Sequence, residues 1–366
     1  MSHVSPYLHR RLPALAETLP HLALSERPTP VRELAGLGVW VKEDGAFGSG
    51  GWGGNKVRKL EWLIPDARRR GRRSILTFGG LGTNWGLATA LYGREHGLET
   101  ALALVDQPVD EHVRAQLARL EASGARIHRT HTKARTLALL PWLIARNARG
   151  AHPPYLLPAG GSSAVGALGY VEAALEIAAQ VEDGSLSVPA QVVVAVGTGG
   201  TAAGLALGLQ LAGLRTRVIG VVVNDQLRLD PPVLARLARR TAKLLERRGA
   251  RLPRLRLEPD MLERPATRSA PVTATAPRQR RAPLPSPPRT VSPSTPSTPR
   301  RRWPACWRCA PRAASATPCC SSTPTGRVSV CTLATWPRPR RHGFISGLPQ
   351  KTRSCSSKPA LCTRRR

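Results

Sequence analysis

The chain has 366 residues, enough for one large or two ordinary domains, and a formal net charge of +32. No stretch approaches the roughly 18–20 apolar residues of a membrane span, and the first residues do not resemble a secretory signal. The first 263 residues contain no cysteine, which argues against a disulfide framework there, and we expect a cytoplasmic protein without a membrane partner.

The charge is distributed unevenly and divides the chain near Glu263. Residues 1–263 hold 34 basic and all 23 acidic residues, whereas residues 264–366 hold 21 basic residues and no acidic one. All seven cysteines follow Trp303. The second part is rich in Arg, Pro and Ser, which cannot form a packed core, and we expect this tail to be disordered.

Apolar runs and helical periods alternate along residues 38–223. In chain order the predicted elements are strand 38–42, helix 56–70, strand 74–78, helix 84–96, strand 100–105, helix 111–122, a further unit from 124–128, a short apolar run 155–157, helix 164–181, strand 191–196, helix 200–212 and strand 217–223. Because these strands lack polar alternation and are separated by helices, they predict an α/β fold with parallel sheets covered on both faces.

A lysine follows a glycine-rich turn directly at the predicted start of the helix 56–70. The stretch is Gly53-Gly54-Asn55-Lys56. Glycines there let the backbone approach a ligand, and a helix N-terminus favours an anion. A lysine in this setting can become the nucleophile of a Schiff base. Taken alone, the stretch is equally consistent with a loop before a basic, solvated helix.

Three glycine-rich loops follow predicted strands, where α/β proteins bind ligands. Within residues 79–86, Thr83 and Asn84 alone favour a plain helix N-cap. Residues 158–163 form either an active-site wall or a loop with a serine cap. The loop 197–201, Gly-Thr-Gly-Gly-Thr, offers backbone N–H groups and two hydroxyls at a helix N-terminus, which favours a phosphate cradle. It is neither a Walker A loop nor a dinucleotide fingerprint.

A lysine at one helix start and a phosphate cradle at another suggest pyridoxal phosphate (PLP). Residues from about 26 to 250 resemble the family of D-cysteine desulfhydrase and 1-aminocyclopropane-1-carboxylate (ACC) deaminase, a branch of the tryptophan-synthase-β-like PLP enzymes. The matching motifs are Gly-Asn-Lys-Val-Arg-Lys-Leu-Glu at 54–61, Pro-Ala-Gly-Gly-Ser-Ser at 158–163, Gly-Ala-Leu-Gly-Tyr at 166–170 and the loop 197–201.

The resemblance implies a tryptophan-synthase-β-like PLP fold with two open parallel-sheet domains. The large PLP-binding domain would comprise residues 1–50 and 160–263, and a small nested domain residues 51–159. The implied activity is that of a PLP-dependent lyase or deaminase, a D-cysteine desulfhydrase-like elimination with deamination of a small amino acid. The implied assembly is a homodimer without a metal site or a specific nucleic-acid partner.

The resemblance also assigns residues to the site. Lys56 would form the Schiff base and act as general base at Cα, and Thr83 would take part in catalysis. The residues implied to hold the cofactor are Asn55, Lys56, Lys59, Asn84, Gly197, Thr198, Gly199, Gly200 and Thr201. One departure affects substrate choice, because the family usually has Ser-Asn followed by His or Gln where this chain has Thr83-Asn84-Trp85.

The tail lacks the later segments of the family, Gly-Tyr-Gly, Asp-Pro-Val-Tyr-Thr-x-Lys and His-Thr-Gly. We read the codons for residues 273–279, 292–302 and 321–326 from the third base of each codon into the next. This shifted reading permits Gly-Tyr-Gly-Ala-Pro-Thr, Thr-Leu-Asp-Pro-Val-Tyr-Thr-x-Lys and Phe-His-Thr-His-Gly, which correspond in order to the three family segments, the last with one extra residue before the glycine. We therefore hypothesise a frameshift between roughly Leu255 and Thr273, and expect a chain that folds poorly or has little activity. On this hypothesis the Cys306-x-x-Cys309 pair is not a zinc site.

Two alternatives stay open at this point. A noncatalytic PLP-fold remnant would bind PLP through Lys56 without turnover. An Arg-rich nucleic-acid-binding protein would show strongly salt-dependent DNA binding and no PLP absorbance.

Overall fold

The computed structural model of the chain describes residues 5–48, 54–223 and 229–257, together with the backbone of residues 262–263 and 333–337. All of these described residues belong to one compact unit. The rest of the predicted tail lies outside the described residues, so its disorder, its frameshift and the Cys306/Cys309 pair stay predictions. Gly53 also lies outside them.

The described part of the chain contains ten α-helices and ten strands. The helices are α1 Tyr7–Arg11, α2 Leu15–Thr18, α3 Val57–Arg69, α4 Asn84–Glu95, α5 Glu111–Ala122, α6 Lys133–Ala138, α7 Leu140–Arg146, α8 Ala164–Glu182, α9 Gly200–Leu211 and α10 Pro231–Arg247. The strands are β1 Val31–Leu34, β2 Val39–Lys42, β3 Ser74–Gly80, β4 Glu99–Val105, β5 Arg126–His131, β6 Tyr155–Leu156, β7 Pro189–Val196, β8 Arg217–Val222, β9 Leu262–Glu263 and β10 Leu333–Pro337. Two short 3-10 turns lie at Asp44–Ala46 and Ala159–Gly161.

The alternation of strands and helices predicted for residues 38–223 is confirmed, with small shifts at the element ends. Helices α1, α2, α6, α7 and α10 and strands β1, β9 and β10 were not predicted. The strands of one sheet all lie between Ser74 and Leu156, and those of the other sheet lie before and after this segment. The predicted domain boundaries stay a prediction.

The first sheet has six strands in the order β1-β2-β10-β7-β8-β9. β7 runs parallel to β8, and β8 runs parallel to β9. β1, β2, β10 and β7 pair antiparallel with one another in that order. The sheet is therefore parallel on one side only. The short turn between β1 and β2 accounts for their antiparallel pairing, and β10 adds the other two antiparallel pairs by lying between β2 and β7.

The second sheet has four strands in the order β5-β4-β3-β6, and every pair is parallel. Helices cover both of its faces. Leu102 of β4 clusters with Leu120 of α5, while its neighbour Ala103 clusters with Leu143 of α7. This burial on both faces explains why β4 shows no polar alternation in the sequence.

Helix α8 is buried along most of its length and packs against α3, α9 and α10. It is long and apolar enough to cross a membrane by length and composition, but 83% of its apolar window is buried inside the protein, as in a core helix. Gly169 permits the contact with α3, because a Cβ there would lie 2.2 Å from the carbonyl oxygen of Arg58. Gly204 of α9 is equally close, with a Cβ position 2.3 Å from the Ala167 oxygen.

Candidate active site

Lys56 is the N-cap residue of α3 and follows Gly54, whose φ of +106° lies in the left-handed region. The Lys56 ammonium donates a hydrogen bond of 2.8 Å to Asn55 Oδ1. Asn55 is buried, and its carbonyl oxygen accepts a hydrogen bond of 3.1 Å from the hydroxyl of Tyr170 in α8. The backbone that carries Lys56 is therefore held from α8.

Lys59 lies one helical turn after Lys56 and is buried, with 2% exposure. Its Nζ donates a hydrogen bond of 2.9 Å to the carbonyl oxygen of Gly160. A Cβ placed on Gly200 would lie 3.0 Å from the same Nζ. Lys59 thus connects the start of α3 with the loops 158–163 and 197–201.

The loop 197–201 joins β7 to α9. Gly199 is the N-cap of α9 and has a φ of +88°, a conformation that favours glycine. Gly199 contributes no capping side chain, and the first turn of α9 carries no acidic residue, so the positive end of the helix dipole faces any ligand bound here. Thr201 is buried at this helix start.

The loop 158–163 contacts the loop 197–201 through a serine that the sequence analysis did not select. Ser162 Oγ accepts a hydrogen bond of 3.0 Å from the Gly200 amide and lies 2.7 Å from Thr198 Oγ1. Ser163, in contrast, is the N-cap of α8 and accepts a hydrogen bond from the Gly166 amide. Because Ser162 and Ser163 are adjacent and identical in type, the sequence alone does not indicate which of them caps the helix and which contacts the other loop.

Thr83 and Asn84 lie at the start of α4, next to the four-stranded sheet. Thr83 is the N-cap of α4, and its Oγ1 accepts a hydrogen bond of 3.1 Å from the Gly86 amide. Asn84 is exposed, and its Oδ1 accepts a hydrogen bond of 2.9 Å from Gln116 Nε2 of α5. Thr83 thus caps the helix, as its position in the sequence suggests. The catalytic role of Thr83 and the cofactor-binding role of Asn84 stay predictions.

Trp85 lies in the core, with 3% exposure. Its indole Nε1 donates a hydrogen bond of 2.8 Å to Thr77 Oγ1 of β3. The ring also packs against the loop 158–163, since a Cβ on Gly161 would lie 2.5 Å from it. The aromatic side chain that replaces an expected polar residue is therefore a packing element between β3 and this loop.

Arg58 lies between the two lysines in sequence and pairs with the buried carboxylates of Asp44 and Glu176. Burial alone would raise the pKa of Glu176, but the positive charges of Arg58 and Lys42 hold that pKa at about 2. Burial alone would lower the pKa of Arg58, but Asp44 and Glu176 raise it well above its ordinary value. Because the pKa of Glu176 is depressed, its stabilising contribution is present above the ordinary value of 4.5 and is lost as pH falls towards 2.

These residues fit a cofactor that carries a phosphate and an aldehyde. Side chains surround Gly200 closely. A Cβ placed on Gly200 would lie 2.7 Å from Ser162 Oγ and 3.0 Å from Lys59 Nζ, so both groups lie next to the backbone at the start of α9. Backbone N–H groups at a helix N-terminus together with a nearby ammonium are the groups that bind phosphate. Lys56, one turn from Lys59, supplies an amine for the aldehyde.

Comparison with known proteins gives the same cofactor. The model of the family described as "Pyridoxal-phosphate dependent enzyme" matches residues 22–247. D-cysteine desulfhydrase of Klebsiella pneumoniae subsp. pneumoniae is 34% identical over 238 residues, which cover 62% of this chain and 71% of that protein. The enzyme of the same name from Klebsiella pneumoniae strain 342 matches with the same identity and coverage.

A solved structure, the crystal structure of an ACC deaminase homologue, aligns with a TM-score of 0.58 and 28% identity over 71% of this chain and 77% of that one. The match confirms the predicted PLP-enzyme fold, with α/β architecture and parallel strands. The site residues lie within the span matched by the family model. On the strength of these matches, the chain belongs to the family of pyridoxal-phosphate dependent enzymes.

Proposed function

We propose that the chain is a PLP-dependent lyase that eliminates and deaminates a small amino acid, with D-cysteine as the first substrate to test. The observation that carries this proposal is the contact of Lys59 Nζ with the Gly160 carbonyl at 2.9 Å, beside Gly200. This contact brings the helix start that bears Lys56 close to the loop 197–201, which we propose as the phosphate site. The two relatives named D-cysteine desulfhydrase and the solved ACC deaminase homologue support the substrate class.

In this proposal the loop 197–201 binds the phosphate of PLP. Apart from the Gly200 N–H, which donates to Ser162 Oγ, its backbone N–H groups and the hydroxyls of Thr198 and Thr201 would donate to the phosphate oxygens, and Lys59 would offset part of the phosphate charge. Lys56, whose ammonium donates to Asn55 Oδ1, would be the residue that holds the aldehyde end of PLP. PLP, when bound, supplies an electron sink that stabilises negative charge at the substrate α-carbon.

The same proposal gives Lys56 the proton transfer. Its amine would serve as the general base that takes the proton from the substrate Cα. Thr83 Oγ1 accepts a hydrogen bond from Gly86, which leaves its own proton available for the substrate carboxylate. Asn84 Oδ1 accepts from Gln116, which leaves its NH₂ group to donate to the cofactor ring oxygen.

The test uses the purified full-length chain incubated with PLP. We expect an absorbance band of lysine-bound PLP, attachment of PLP at Lys56 after borohydride reduction and peptide mapping, and sulfide release from D-cysteine. Lys56→Ala should abolish all three signals, whereas Lys243→Ala, an exposed lysine of α10, should leave them unchanged.

The outcomes separate the alternative functions. Attachment at Lys56 without sulfide release from D-cysteine or ammonia release from ACC identifies a noncatalytic PLP-binding protein. Absence of the absorbance band and of attachment refutes the proposal. L-cysteine and D-cysteine are compared in parallel to identify the stereochemistry of the substrate.

We further propose a homodimer, a cytoplasmic location and no specific nucleic-acid partner. The resemblance to the desulfhydrase and deaminase family supports the dimer, and the absence of cysteine from residues 1–263 supports the location. Light scattering after gel filtration should give twice the monomer mass. A monomer at all protein concentrations would contradict the assembly.

A further inference from the structure

Four charged side chains meet in the protein interior next to the first turn of α3. They are Lys42 of β2, Asp44 of the first 3-10 turn, Arg58 of α3 and Glu176 of α8, each at most 1% exposed. Two cations face two carboxylates, so the cluster carries no net charge. Buried charges are tolerated only when they are paired and hydrogen-bonded, and here they are.

Arg58 makes two-point contacts with both carboxylates. Its Nε and Nη2 donate to Asp44 at 3.1 and 2.8 Å, and its Nη1 and Nη2 donate to Glu176 at 3.1 and 2.9 Å. Nη2 also reaches Thr29 Oγ1 at 3.2 Å. The planar guanidinium therefore has its orientation fixed by three other segments of the chain.

Lys42 completes the cluster. Its Nζ lies 2.5 Å from Glu176 Oε1 and donates hydrogen bonds to the Thr29 carbonyl at 3.1 Å and to Gln180 at 2.7 Å. Glu176 thus accepts from two cations, and its loss would leave both without their shared carboxylate. Gln180, one turn later on α8, extends the contact between α8 and the N-terminal segment.

The first turn of α3 has little local reinforcement of its own. Its N-cap, Lys56, makes no side-chain capping hydrogen bond, and the first turn has no acidic residue. The turn is instead held by tertiary contacts, namely the Arg58 ion pairs, the close approach of Gly169 and the hydrogen bond from Tyr170 to Asn55. A loss of the ion pairs would displace this turn, and with it both lysines.

We propose that Arg58, with Asp44 and Glu176, is a positioning residue that fixes the orientation of Lys56 and Lys59 towards the cofactor site. The proposal rests on the proposed function of the two lysines and adds residues that do not touch the cofactor. If the cluster is lost, the rate of PLP attachment at Lys56 should therefore fall even at temperatures where the variant is still fully folded.

The structure offers a closely matched pair of variants. Glu176→Gln keeps the shape of the side chain and removes the charge shared by Arg58 and Lys42. Glu172→Gln is the control, because Glu172 lies one turn earlier on α8, is equally buried and pairs with Arg27 at 2.7 Å. Its carboxylate accepts from the Tyr7 and Leu8 amides of α1, and Arg27 connects it to Glu61 in the second turn of α3. Glu172 therefore makes none of the ion pairs that hold the first turn of α3.

The thermal unfolding transition of each full-length variant is measured first. A separate sample is then incubated with PLP at a temperature well below that transition, reduced with borohydride and analysed by peptide mapping for attachment at Lys56. We expect both variants to lose stability. Glu176→Gln should attach PLP about tenfold or more slowly, since misplacing a reactive group by ~1 Å can cost up to about a hundredfold in rate. Glu172→Gln should attach PLP at the parent rate.

Parent-like attachment in Glu176→Gln, or an equal loss in both variants, would overturn the inference. If Glu176→Gln does not fold, Arg58→Lys serves instead, because it keeps the charge but cannot form the two-point contacts. Failure of the parent chain to attach PLP would refute the proposed function, and this inference with it. Normal attachment in the parent and in Glu176→Gln would refute this inference alone.

Discussion

Lys59 places a buried ammonium next to the positive end of a helix. Its Nζ donates to the Gly160 carbonyl at 2.9 Å, and the neighbouring Gly200 begins α9. A positive charge beside a helix N-terminus is unfavourable by itself, whereas an anion between them is stabilised by both. The phosphate of PLP is such an anion, so Lys59 should act on the phosphate and not on the ring.

We expect Lys59→Met to weaken PLP binding by about 10–100-fold, because a hydrogen bond to a charged group contributes ~1.5–3 kcal/mol. Equilibrium absorbance titrations with PLP and with pyridoxal, which lacks the phosphate, measure the effect. Only the PLP affinity should fall substantially, and Lys243→Met should change neither. An equal loss for both ligands would place Lys59 at the ring instead.

We expect Gly169→Ala to destabilise the protein by about 1–3 kcal/mol or more, the usual cost of overpacking. The added Cβ would lie 2.2 Å from the Arg58 carbonyl oxygen, a backbone atom that cannot rotate away. Urea unfolding measures the change. Gly45→Ala is the control, because nothing lies within 4 Å of its Cβ position, and a similar loss there would contradict the explanation.

For single residues, the sequence predicted site residues that belong to short local motifs and missed contacts between residues that are far apart in the chain. Lys56 and the loop 197–201 could be selected because glycine and lysine at these spacings carry a signal within a few residues, and Lys59 was added by the resemblance to the family motif. The partners of Arg58 could not, because Asp44 lies 14 and Glu176 lies 118 residues away. Which side chains meet across such separations depends on the packing of α8 on α3.

The same contrast holds for the elements. The helices and strands of residues 38–223 follow from hydrophobic periodicity and glycine-rich turns. α10 was missed although prolines at its first positions and an aspartate before them signal a helix start. β10 could not be predicted, since its partners β2 and β7 lie in distant parts of the chain.

α10 packs against α8 and α9, and Leu245 is fully buried in the main core cluster. We expect Leu245→Ala to reduce the free energy of unfolding by about 2–5 kcal/mol, the usual cost of removing a buried leucine side chain. Val233→Ala on the same helix should change it by no more than about 0.5 kcal/mol, as for most surface substitutions. Chemical denaturation of both variants measures the difference. Equal effects would show that α10 is not docked as described.

Helix α1 should make the stability of the protein sensitive to mild acid. His9 is buried on α1 and hydrogen-bonded to the Leu19 carbonyl at 2.9 Å, and burial lowers its pKa below the ordinary 6.5. Because the unfolded chain then binds a proton more readily, the stabilising contribution is present above pH 6.5 and is lost as pH falls towards the folded pKa. Unfolding measured at several pH values should show this loss, and His9→Gln, which keeps a donor, should remove it.

At the scale of the whole molecule, residues 1–263 differ sharply in composition from the tail. The family match ends at residue 247, and the 21 basic residues after Glu263 have no acidic counterpart. We expect the coding DNA, read in the alternative frame after roughly residues 255–273, to contain the three family segments in order. Their absence from that frame would refute the frameshift hypothesis.

The frameshift hypothesis also predicts low activity. A chain whose last part is read in the wrong frame should fold poorly or turn over substrate slowly. Normal turnover of D-cysteine by the soluble full-length chain would contradict this expectation.

The contacts of Lys59 also have a consequence for production of the protein. The start of α3 and the loops 158–163 and 197–201 come from distant parts of the chain and meet at this one residue. A ligand that binds all three only in the folded state shifts the folding equilibrium, by ~2.7 kcal/mol at a free concentration 100 times its dissociation constant. Vitamin B6 in the growth medium should therefore raise the soluble yield of the chain, and a Lys59→Met variant should gain less from it.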